Sequence, residues 1–462
     1  MLILKFGGAS LSDASGFSLC LSWFKKIAHQ PSVFVVSALY GVTNHLLELI
    51  RFAEGTQSGD LQEGITRLKI RHFEIVQKLD IKTEELQQAL DIEFLALESL
   101  LQSACVLAEV SPRARDRILS YGERLSSLMV AMYLGAKGAL TQRVLGEEVI
   151  VTEARFGNAI PMLIETGREA RRVLQPLLDN GVVPVVAGFT GRTPNGQTTT
   201  LGRGGTDLSA SVLARALGAK EVWYLKETDG ILSADPKLMP SARLIPRLSY
   251  SEMAELSYFG AKVIHPIAMH PLKDSGIEAR ILNFANLENQ GTVIGRVSDP
   301  SPAIKAISPI PGIALVTVEG LGMAGTPGMA GRLFSALARE RVNVLMISQA
   351  SSEQNICLVI HRDEAPVAQR ALLEEFSREI FSKEIDGIVF RTDVCVLALV
   401  GEGMAGTPGI AGKVFSLMGA NGINIILIAQ GSSEYNISFV IDRQNMEEAL
   451  RILHSELCEP CQ

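Results

Sequence analysis

The sequence predicts an α/β protein in which a three-layer domain with a mostly parallel sheet is followed by two smaller α+β units. Two observations support this prediction. From Met1 to about Pro300, apolar runs typical of buried strands alternate with amphipathic helical patterns, an order that produces a parallel sheet covered by helices. Beyond Pro300, one segment of the chain occurs twice. The chain of 462 residues is long enough for large cores.

The elements of the first part follow from the spacing of apolar residues and from turn signals. The chain opens with a short apolar strand that runs into Gly7 and Gly8. Ser111 and Pro112 start a helix, because the fixed φ of proline suits the first helical position. The other predicted strands are Val33–Ser37, Val182–Phe189 and Glu221–Leu225, and the other predicted helices are Thr43–Ala53, Leu61–Leu79, Leu86–Leu107, Leu208–Leu217 and Ser251–Phe259.

The last part of the chain is an internal repeat, in which Gly322–Gly328 recurs 81 residues later as Gly403–Gly409. Each copy reads strand, glycine-rich turn, helix, strand, short turn, strand. Two such units can pack side by side into one sheet, with ligand sites between them. We expect domains at residues 1–300, 313–390 and 394–462, with the proline-rich residues 301–312 as a linker or shared strand.

The segment Thr198–Asp207 reads Thr-Thr-Thr-Leu-Gly-Arg-Gly-Gly-Thr-Asp and lies between a predicted strand and a predicted helix. Its glycines let the backbone approach a ligand closely, and the amides at a helix N-terminus face an anion. Arg203 offers a planar fork for a carboxylate or phosphate, and Asp207 adds a carboxylate near the same point. The segment therefore predicts a turn that binds phosphate or carboxylate groups, with a plain surface loop as the alternative.

Lys5 lies at the end of the first strand, beside Gly7 and Gly8. A lysine at this position suits phosphate binding, as a point charge next to exposed amides. The turn differs from the common P-loop, because no G-x-x-x-x-G-K-[ST] pattern follows any strand. An ordinary strand end is the alternative when the segment is considered alone.

Composition excludes several classes of protein. A net charge of −7 without a basic stripe argues against nucleic acid as a partner. The chain has no long uncharged apolar run for a membrane helix and no basic n-region for a signal peptide. Six scattered cysteines suggest reduced thiols in a cytoplasmic protein. The histidines and cysteines show no spacing typical of metal ligands.

Both copies of the repeat contain a G-x-G-x-x-G pattern, at Gly320–Gly325 and Gly401–Gly406. A dinucleotide site would need an acidic residue at the end of the next strand. That strand instead ends in Ser348-Gln349 or Ala429-Gln430. The pattern alone is weak, so NAD binding is disfavoured.

Five ordered motifs together resemble one known family, the aspartate kinases. The motifs are Lys5-Phe6-Gly7-Gly8, Val36-Ser37-Ala38 with Gly41-Val42-Thr43-Asn44, Tyr121-Gly122-Glu123, Leu201-Gly202-Arg203-Gly204-Gly205-Thr206-Asp207 and Phe259-Gly260-Ala261-Lys262-Val263-Ile264-His265-Pro266. The resemblance covers the whole chain, because aspartate kinases combine the amino-acid-kinase fold with a pair of ACT regulatory domains. It is strongest to the kinase and regulatory part of bifunctional aspartate kinase–homoserine dehydrogenases. Since the chain ends before any dehydrogenase, the resemblance implies a monofunctional enzyme.

The resemblance implies that the protein makes 4-phospho-L-aspartate from L-aspartate and ATP, the first step towards lysine, threonine and methionine. Mg²⁺ would enter with ATP and have no protein ligands. The implied residues fall into three overlapping sets: catalytic Lys5, Asp207 and Lys262; substrate-binding Ser37, Thr43, Glu123 and Arg203; and ATP-binding Lys5, Gly7, Gly8, Lys226, Glu227, Leu232, Asp235 and Lys262. Ser37 would also hold the transferred phosphoryl group. In these roles Glu123 would bind the amino group of aspartate and Arg203 a carboxylate.

One segment departs from the pattern of many microbial aspartate kinases, which place Thr-Asp two residues before Asp-Gly and a tyrosine soon after. Here Lys226 and Glu227 precede Thr228-Asp229-Gly230, and Leu232 takes the later position. Plant monofunctional enzymes are similar in having lysine and leucine at these places. The departure puts the adenosine contacts in doubt, and Lys226 itself is expected to reach a phosphate.

The repeat also predicts regulation by an amino acid. Asn343 with Gln349, and Asn424 with Gln430, extend from the start of a strand to its end. Side-chain amides both donate and accept hydrogen bonds, which suits a free amino acid, although they also serve turns. By resemblance we expect inhibition by threonine, with lysine as the alternative, in a homodimer or higher oligomer. Two alternatives to the kinase stay open: another amino-acid kinase, acting on glutamate or acetylglutamate, and a catalytically dead ligand sensor.

Overall fold

The computed structural model describes residues 1–258, 263–299 and 301–458. The described chain divides into two compact units. The first unit contains residues 1–231, 244–254 and 263–298, and the second contains residues 232–243, 255–258 and the described residues from 299 onward. Within the described residues, no helix has the length and hydropathy needed to cross a membrane.

The first unit is built on an eight-stranded sheet and a two-stranded ribbon. Its strands are β1 (Leu2–Phe6), β2 (Ser32–Val36), β3 (Thr141–Val144), β4 (Val183–Ala187), β5 (Thr190–Arg192), β6 (Thr198–Thr200), β7 (Glu221–Lys226), β8 (Arg247–Ser249), β9 (Glu278–Asn283) and β10 (Thr292–Gly295). The sheet has the order β3-β4-β2-β1-β7-β9-β10-β8 and is parallel except between β9 and β10. Strands β5 and β6 form the antiparallel ribbon.

Helices cover this sheet. They are α1 (Ala14–Ile27), α2 (Val42–Glu54), α3 (Ser58–Gln77), α4 (Glu84–Leu107), α5 (Pro112–Leu119), α6 (Tyr121–Ala136), α7 (Gly146–Val149), α8 (Leu163–Asp179), α9 (Gly205–Leu217), α10 (Tyr250–Tyr258), which continues into the second unit, and α11 (Met269–Ser275). Leu4 and Phe6 of β1 share a core with helices α1 to α4 and α6, while α9 contacts β1, β2 and β7. The predicted three-layer α/β domain with a mostly parallel sheet is confirmed.

The predicted elements differ from the observed ones mainly at their ends. Ser111 caps α5 by accepting a hydrogen bond from the amide of Ala114, as the Ser-Pro signal predicted. Helix α9 begins at Gly205, three residues before the predicted Leu208. The sequence pattern missed this first helical turn because it follows a run of glycines. The cap residue Gly204 adopts a left-handed conformation with φ 75°.

The second unit contains two four-stranded antiparallel sheets. Its strands are β11 (Ala306–Ile310), β12 (Ile313–Glu319), β13 (Val344–Gln349), β14 (Asn355–His361), β15 (Gly387–Arg391), β16 (Val394–Val400), β17 (Ile425–Gln430) and β18 (Asn436–Asp442). Its other helices are α12 (Met329–Arg339), α13 (Ala365–Glu375), α14 (Ser377–Phe381), α15 (Ile410–Ala420) and α16 (Met446–Leu453), which a π-helical turn at His454–Cys458 follows.

The expectation that both copies of the repeat share one sheet is wrong. The first copy forms the sheet β13-β14-β12-β15, and the second copy forms β11-β16-β18-β17. Each sheet takes its fourth strand from outside the repeated strands, so the two copies have no need to pair with each other. Apolar side chains such as Leu315 and Val396 pack in a common core between the copies. The proline-rich residues 301–312 include β11, which pairs with β16.

Candidate active site

The first unit contains a cavity of about 460 Å³ that gathers seven of the residues proposed from the sequence. These seven residues are Lys5, Gly8, Ser37, Thr43, Glu123, Arg203 and Asp207. Strands β1 and β2 are parallel neighbours, with Phe6 opposite Val36. Their carboxyl ends therefore lie at the same edge of the sheet, which is where ligands bind in open α/β sheets.

Two helices begin at this cavity without a side-chain cap. Gly41 is the cap residue of α2 and Gly204 that of α9, with φ of 76° and 75°, and neither helix has a side-chain hydrogen bond at its cap. The amides of a first helical turn without such a cap are available to an anionic ligand. Gly204 has no room for a side chain, since a Cβ there would lie 2.3 Å from the Cβ of His265.

Asp207 lies between two lysines and holds both. Its Oδ1 is 2.7 Å from the Nζ of Lys5, and its Oδ2 is 3.1 Å from the Nζ of Lys226. Burial would raise the pKa of Asp207, but the charges of Lys226 and Lys5 outweigh burial and hold this pKa at about 2. Burial and the nearby charge of Lys5 lower the pKa of Lys226 to about 8, although Asp207 opposes the shift. Buried Lys5 and Asp207 thus line the cavity, and the partly buried Lys226 completes a cluster with one negative and up to two positive charges.

Glu123 lies in the first turn of α6 and is only 3% exposed. Its Oε2 is buried and has no hydrogen-bond partner among the described residues. Burial raises the pKa of Glu123 to about 8, against a hydrogen bond from the amide of Ala38. An unpaired buried carboxyl group at a cavity wall is suited to bind a cation.

Arg203 is exposed, and among the described residues it forms no hydrogen bond or ion pair. Burial lowers the pKa of His265, and the positive charge of Arg203 lowers it further. Ser37 follows β2 directly and Thr43 lies in the first turn of α2, so both line the cavity beside these charges. The cavity therefore combines a cationic fork, a buried carboxyl group and hydroxyl groups.

The remaining predicted site residues are more dispersed. Gly7 adjoins the lysine cluster, since a Cβ at Gly7 would lie 3.7 Å from the Nζ of Lys5. Glu227 is exposed directly after β7. Leu232 and Asp235 belong to the second unit, where Asp235 accepts a hydrogen bond from the amide of Lys237 at 2.9 Å. Lys262 lies outside the described residues, so its predicted role stays a prediction.

The structure assigns a different purpose to the threonines of Thr198–Thr200, which the sequence suggested as part of a ligand-binding turn. All three are buried, and their hydroxyl groups bond to protein. Thr198 accepts from Arg117, and Thr199 pairs with Thr152. Thr200 donates to Asp116. Sequence reasoning missed these bonds because their partners lie 47 to 84 residues away along the chain.

Six other cavity-lining residues were given no binding role from the sequence, although Ala38 and Thr206 belong to its motifs. They are Ala9, Ala38, Leu39, Tyr40, Phe189 and Thr206. Thr206 carries a usable signal, because it lies in the first turn of α9 between the glycines and Asp207. Tyr40 and Phe189 carry none, since an aromatic residue after a strand is usually packed rather than ligand-facing.

A second cavity, of about 350 Å³, lies at the glycine-rich turn of the first repeat copy. Gln349 and Glu353 line it, and Glu353 accepts a hydrogen bond from the amide of Gly325 at 3.0 Å. The second copy has the matching bond, from the amide of Gly406 to Glu434 at 2.6 Å. Asn343 is exposed just before β13, at the opposite end of that strand from Gln349.

The glycines of the G-x-G-x-x-G pattern serve packing in the first copy. A Cβ at Gly320 would lie 2.3 Å from the carbonyl oxygen of Glu384, and one at Gly322 would lie 2.7 Å from its Cα. Close packing against Glu384 therefore accounts for these two glycines.

The fold and the site define a class: α/β proteins that bind anionic ligands where strand ends meet glycine-capped helices. A family model described as the amino acid kinase family matches residues 1–283, and an ACT domain model matches residues 316–376 and 397–457. The chain belongs to the amino acid kinase family.

Its relatives are aspartokinases, which confirms the resemblance seen in the motifs. The bifunctional aspartokinase/homoserine dehydrogenase of Haemophilus influenzae is 34% identical over 99% of this chain and 56% of the relative. The chain thus spans about half the length of this relative. Escherichia coli aspartokinase III in complex with lysine and aspartate is 27% identical, with a TM-score of 0.85 over 99% of this chain and all of that chain. The same enzyme with aspartate and ADP gives a TM-score of 0.81 over 99% of this chain and 100% of that one.

Proposed function

We propose that this protein is an aspartate kinase, which transfers the γ-phosphoryl group of ATP to the side-chain carboxylate of L-aspartate. The products are 4-phospho-L-aspartate and ADP. The observation that carries the proposal is the cavity lined by Lys5, Asp207, Glu123 and Arg203, in which Asp207 also pairs with Lys226. The complexes of Escherichia coli aspartokinase III with aspartate and ADP support it.

In this proposal, aspartate is bound by opposite charges on two sides of the cavity. Arg203 pairs with a carboxylate through its planar fork. Glu123 loses its proton and pairs with the ammonium group, which satisfies the Oε2 that has no partner within the described residues. Thr43 and Ser37 add hydroxyl groups that hold the carboxylate to be phosphorylated.

The lysine cluster acts on the phosphate. A carboxylate oxygen of aspartate attacks the γ-phosphorus, and the bond from that phosphorus to the bridging oxygen of ADP breaks. Lys5 and Lys226 offset the repulsion between the anionic carboxylate and the anionic phosphate. Asp207 keeps both ammonium groups in place. The backbone at Gly7 and Gly8 lets the phosphate approach closely.

ATP and Mg²⁺ are the proposed cofactors. Within the described ranges, no group of three or more His, Cys, Asp or Glu side chains is arranged to hold a metal ion. The proposal therefore has Mg²⁺ bound by the phosphates of ATP, where it bridges phosphate oxygens and neutralises their charge. Glu227, Leu232, Asp235 and Lys262 stay proposed nucleotide contacts by resemblance alone.

The test is ADP release from ATP and Mg²⁺ with L-aspartate, L-glutamate and N-acetyl-L-glutamate as acceptors. We expect ADP release only when aspartate is the acceptor. The 4-phospho-L-aspartate formed should be trapped by hydroxylamine as its hydroxamate. Equal or faster release with glutamate or acetylglutamate would support another amino-acid kinase. No release with any acceptor, combined with amino-acid binding to the second unit, would support a sensor.

We further propose that residues 1–300 form the catalytic domain and that residues 313–390 and 394–462 form ACT domains that bind a feedback inhibitor. Threonine is the proposed inhibitor and lysine the alternative, acting in a homodimer or higher oligomer of a cytoplasmic enzyme of lysine, threonine and methionine synthesis. The support is the cavity at Gln349 and the matching turn of the second copy. The lysine complex of Escherichia coli aspartokinase III makes lysine the natural first comparison.

A further inference from the structure

Asp116 is a buried carboxylate outside the active-site cavity, on helix α5. It accepts three hydrogen bonds from two distant segments. Its Oδ2 accepts from the amide of Thr200 at 2.8 Å and from the amide of Gly157 at 2.9 Å. Its Oδ1 accepts from the hydroxyl group of Thr200 at 2.8 Å. Both oxygens of this carboxylate are therefore committed to protein donors.

Asp116 joins two segments next to the turn that carries Arg203. One is the end of β6 at Thr200, the stem of the turn, and the other is the segment of Gly157 and Asn158, which packs on the turn. Thr200 is the last residue of β6, and Gly202 follows two residues later with φ 73°. The segment of Gly157 and Asn158 packs directly on Gly202, since a Cβ at Gly202 would lie 2.6 Å from the side-chain oxygen of Asn158. The amide of Ala159 also donates to the carbonyl oxygen of Thr200 at 2.9 Å.

We infer that Asp116 is a positioning residue, which fixes the turn at Gly202 and thereby the place of Arg203 in the cavity. The inference depends on the proposed aspartate kinase activity. Arg203 itself forms no bond that would hold it, within the part of the chain that the structure describes, so its place depends on the backbone below it. Hydrogen bonds to a charged group are the strong ones, which suits a carboxylate for this purpose.

The charge of the carboxylate strengthens all three hydrogen bonds, because bonds to an ionised acceptor are about twice as strong as neutral ones. Asparagine has the same size, and its amide oxygen can still accept from the two backbone N–H donors. In Asp116→Asn, the hydroxyl of Thr200 must turn to accept from the NH2 group instead of donating, and every bond loses its charge. The stem of the turn then shifts, while Lys5, Asp207 and Lys226 keep their own contacts.

The test is the steady-state kinetics of Asp116→Asn. We expect KM for aspartate to rise about 10- to 100-fold, the effect of replacing three charge-assisted hydrogen bonds by neutral ones. KM for ATP should change by less than about twofold, because the turn carries the aspartate site. Thr199→Val is the matched control, since Thr199 is a buried neighbour whose hydroxyl bonds to Thr152 instead. This control should leave both KM values within about twofold of wild type.

A double-variant comparison separates positioning from general loss of structure. Arg203→Lys keeps a positive charge but lacks the planar fork. If Asp116 acts through Arg203, Asp116→Asn should change the kcat/KM for aspartate by less than about threefold in this background. An equal loss in both backgrounds, or an equal rise in the KM values of both substrates, would overturn the inference.

Thr200→Val provides a second variant if Asp116→Asn does not fold. It removes one of the three bonds to Asp116 and leaves the two backbone bonds intact. We expect a smaller rise in KM for aspartate, again absent from Thr199→Val. No difference between these two variants would also overturn the inference.

Binding of aspartate to the wild-type protein, measured by calorimetry, distinguishes failure of the proposed function from failure of the positioning role. A wild type that neither binds nor phosphorylates aspartate refutes the proposed function. A wild type that does both, with a normal Asp116→Asn, refutes the positioning role alone.

Discussion

Two glycine-rich turns of this molecule have similar backbones and different surroundings. In the first unit, Gly204 caps α9 with φ 75°, and in the first repeat copy Gly328 caps α12 with φ 92°. Neither helix has a side-chain hydrogen bond at its cap. Each turn lines a cavity. The backbone alone would therefore suit an anion at both places.

The side chains distinguish the two turns. At the first turn, Asp207 is paired with Lys5 and Lys226, which leaves a site for negative charge. At the second turn, the carboxylate of Glu353 already accepts from the amide of Gly325. We expect a ligand with an ammonium group at this second turn, because Glu353 and Gln349 both line its cavity. Side-chain charge, rather than the glycine turn, therefore distinguishes the two cavities.

The largest expected effect tests the charge of the first turn. Lys5→Met should lower turnover about 100- to 1000-fold, because preorganised charge contributes most to stabilising a transition state. KM for ATP should change far less. The variant should fold, since Asp207 keeps its ion pair with Lys226. Kinetics with varied ATP would measure both effects.

Lys25→Met is the control for this change, because Lys25 lies exposed in the last turn of α1. It should behave as wild type. Weaker ATP binding with unchanged turnover in Lys5→Met would remove Lys5 from the catalytic residues, and the charge of the first turn would then serve binding alone.

Arg203→Ala tests whether the first turn recognises a carboxylate. We expect a loss of about 2–5 kcal/mol in transition-state stabilisation, as for truncating one partner of a desolvated charge pair. The measurement is kcat/KM for aspartate. Arg215→Ala is the control, because Arg215 lies on the same α9 and pairs with Asp274 at 2.9 Å. Near-normal aspartate affinity in Arg203→Ala would show that the first turn does not recognise a carboxylate through Arg203.

Glu123 tests the cost of a buried charge at the cavity of the first unit. Its pKa is about 8 in the folded protein, against an ordinary value of 4.5. Between these values the folded state holds a proton that the unfolded state has lost, so wild-type stability falls as pH rises from 4.5 to 8. Glu123→Gln cannot ionise, so its free energy of unfolding should exceed that of the wild type by roughly 5 kcal/mol above pH 8.

Urea unfolding at pH 4.5, 7 and 9 measures this difference, which should be near zero at the lowest pH. Aspartate binding to the wild type should depend on pH in the opposite direction from stability, because the ammonium group of aspartate needs an ionised Glu123. KM for aspartate should therefore fall as pH rises towards 8. A stability difference that does not vary with pH would place the proton elsewhere.

Much of this molecule could be predicted from the sequence, because local patterns determine local structure. The apolar strands, the Ser-Pro helix start and the repeat were all visible. The cavity residues Lys5, Arg203 and Asp207 were found because glycines and charges stand together in short motifs. The family resemblance added Glu123, whose burial no local pattern reveals.

The remaining features depend on long-range contacts. The role of Asp116 rests on partners 41 and 84 residues away. The separate sheets of the two repeat copies depend on β11 and β15, which lie outside the repeated strands. The start of α9 was hidden because Gly204 adopts a conformation that helical propensity does not anticipate. Pairing between distant strands and buried side chains is not contained in local periodicity.

The smallest expected effect concerns the second turn. Replacing Gln349 and Gln430 by alanine should raise the concentration of threonine needed for half inhibition about tenfold, as for the loss of about one hydrogen bond per site. Basal activity should not change, because neither residue lies in the first unit. An effector inhibits only by binding the inactive arrangement more tightly than the active one. Inhibition curves with threonine, and with lysine as the alternative, would measure the shift.

Asn343→Ala with Asn424→Ala is the matched control for this change. Asn343 was expected to share the effector with Gln349, but it is exposed at the opposite end of β13. If the cavity at Gly325–Gly328 is the effector site, the asparagine pair should shift inhibition less than the glutamine pair does. An equal or larger shift would move the effector away from the glycine turn and towards the start of β13. In that case the second turn would have no ligand, and its likeness to the first would be one of backbone alone.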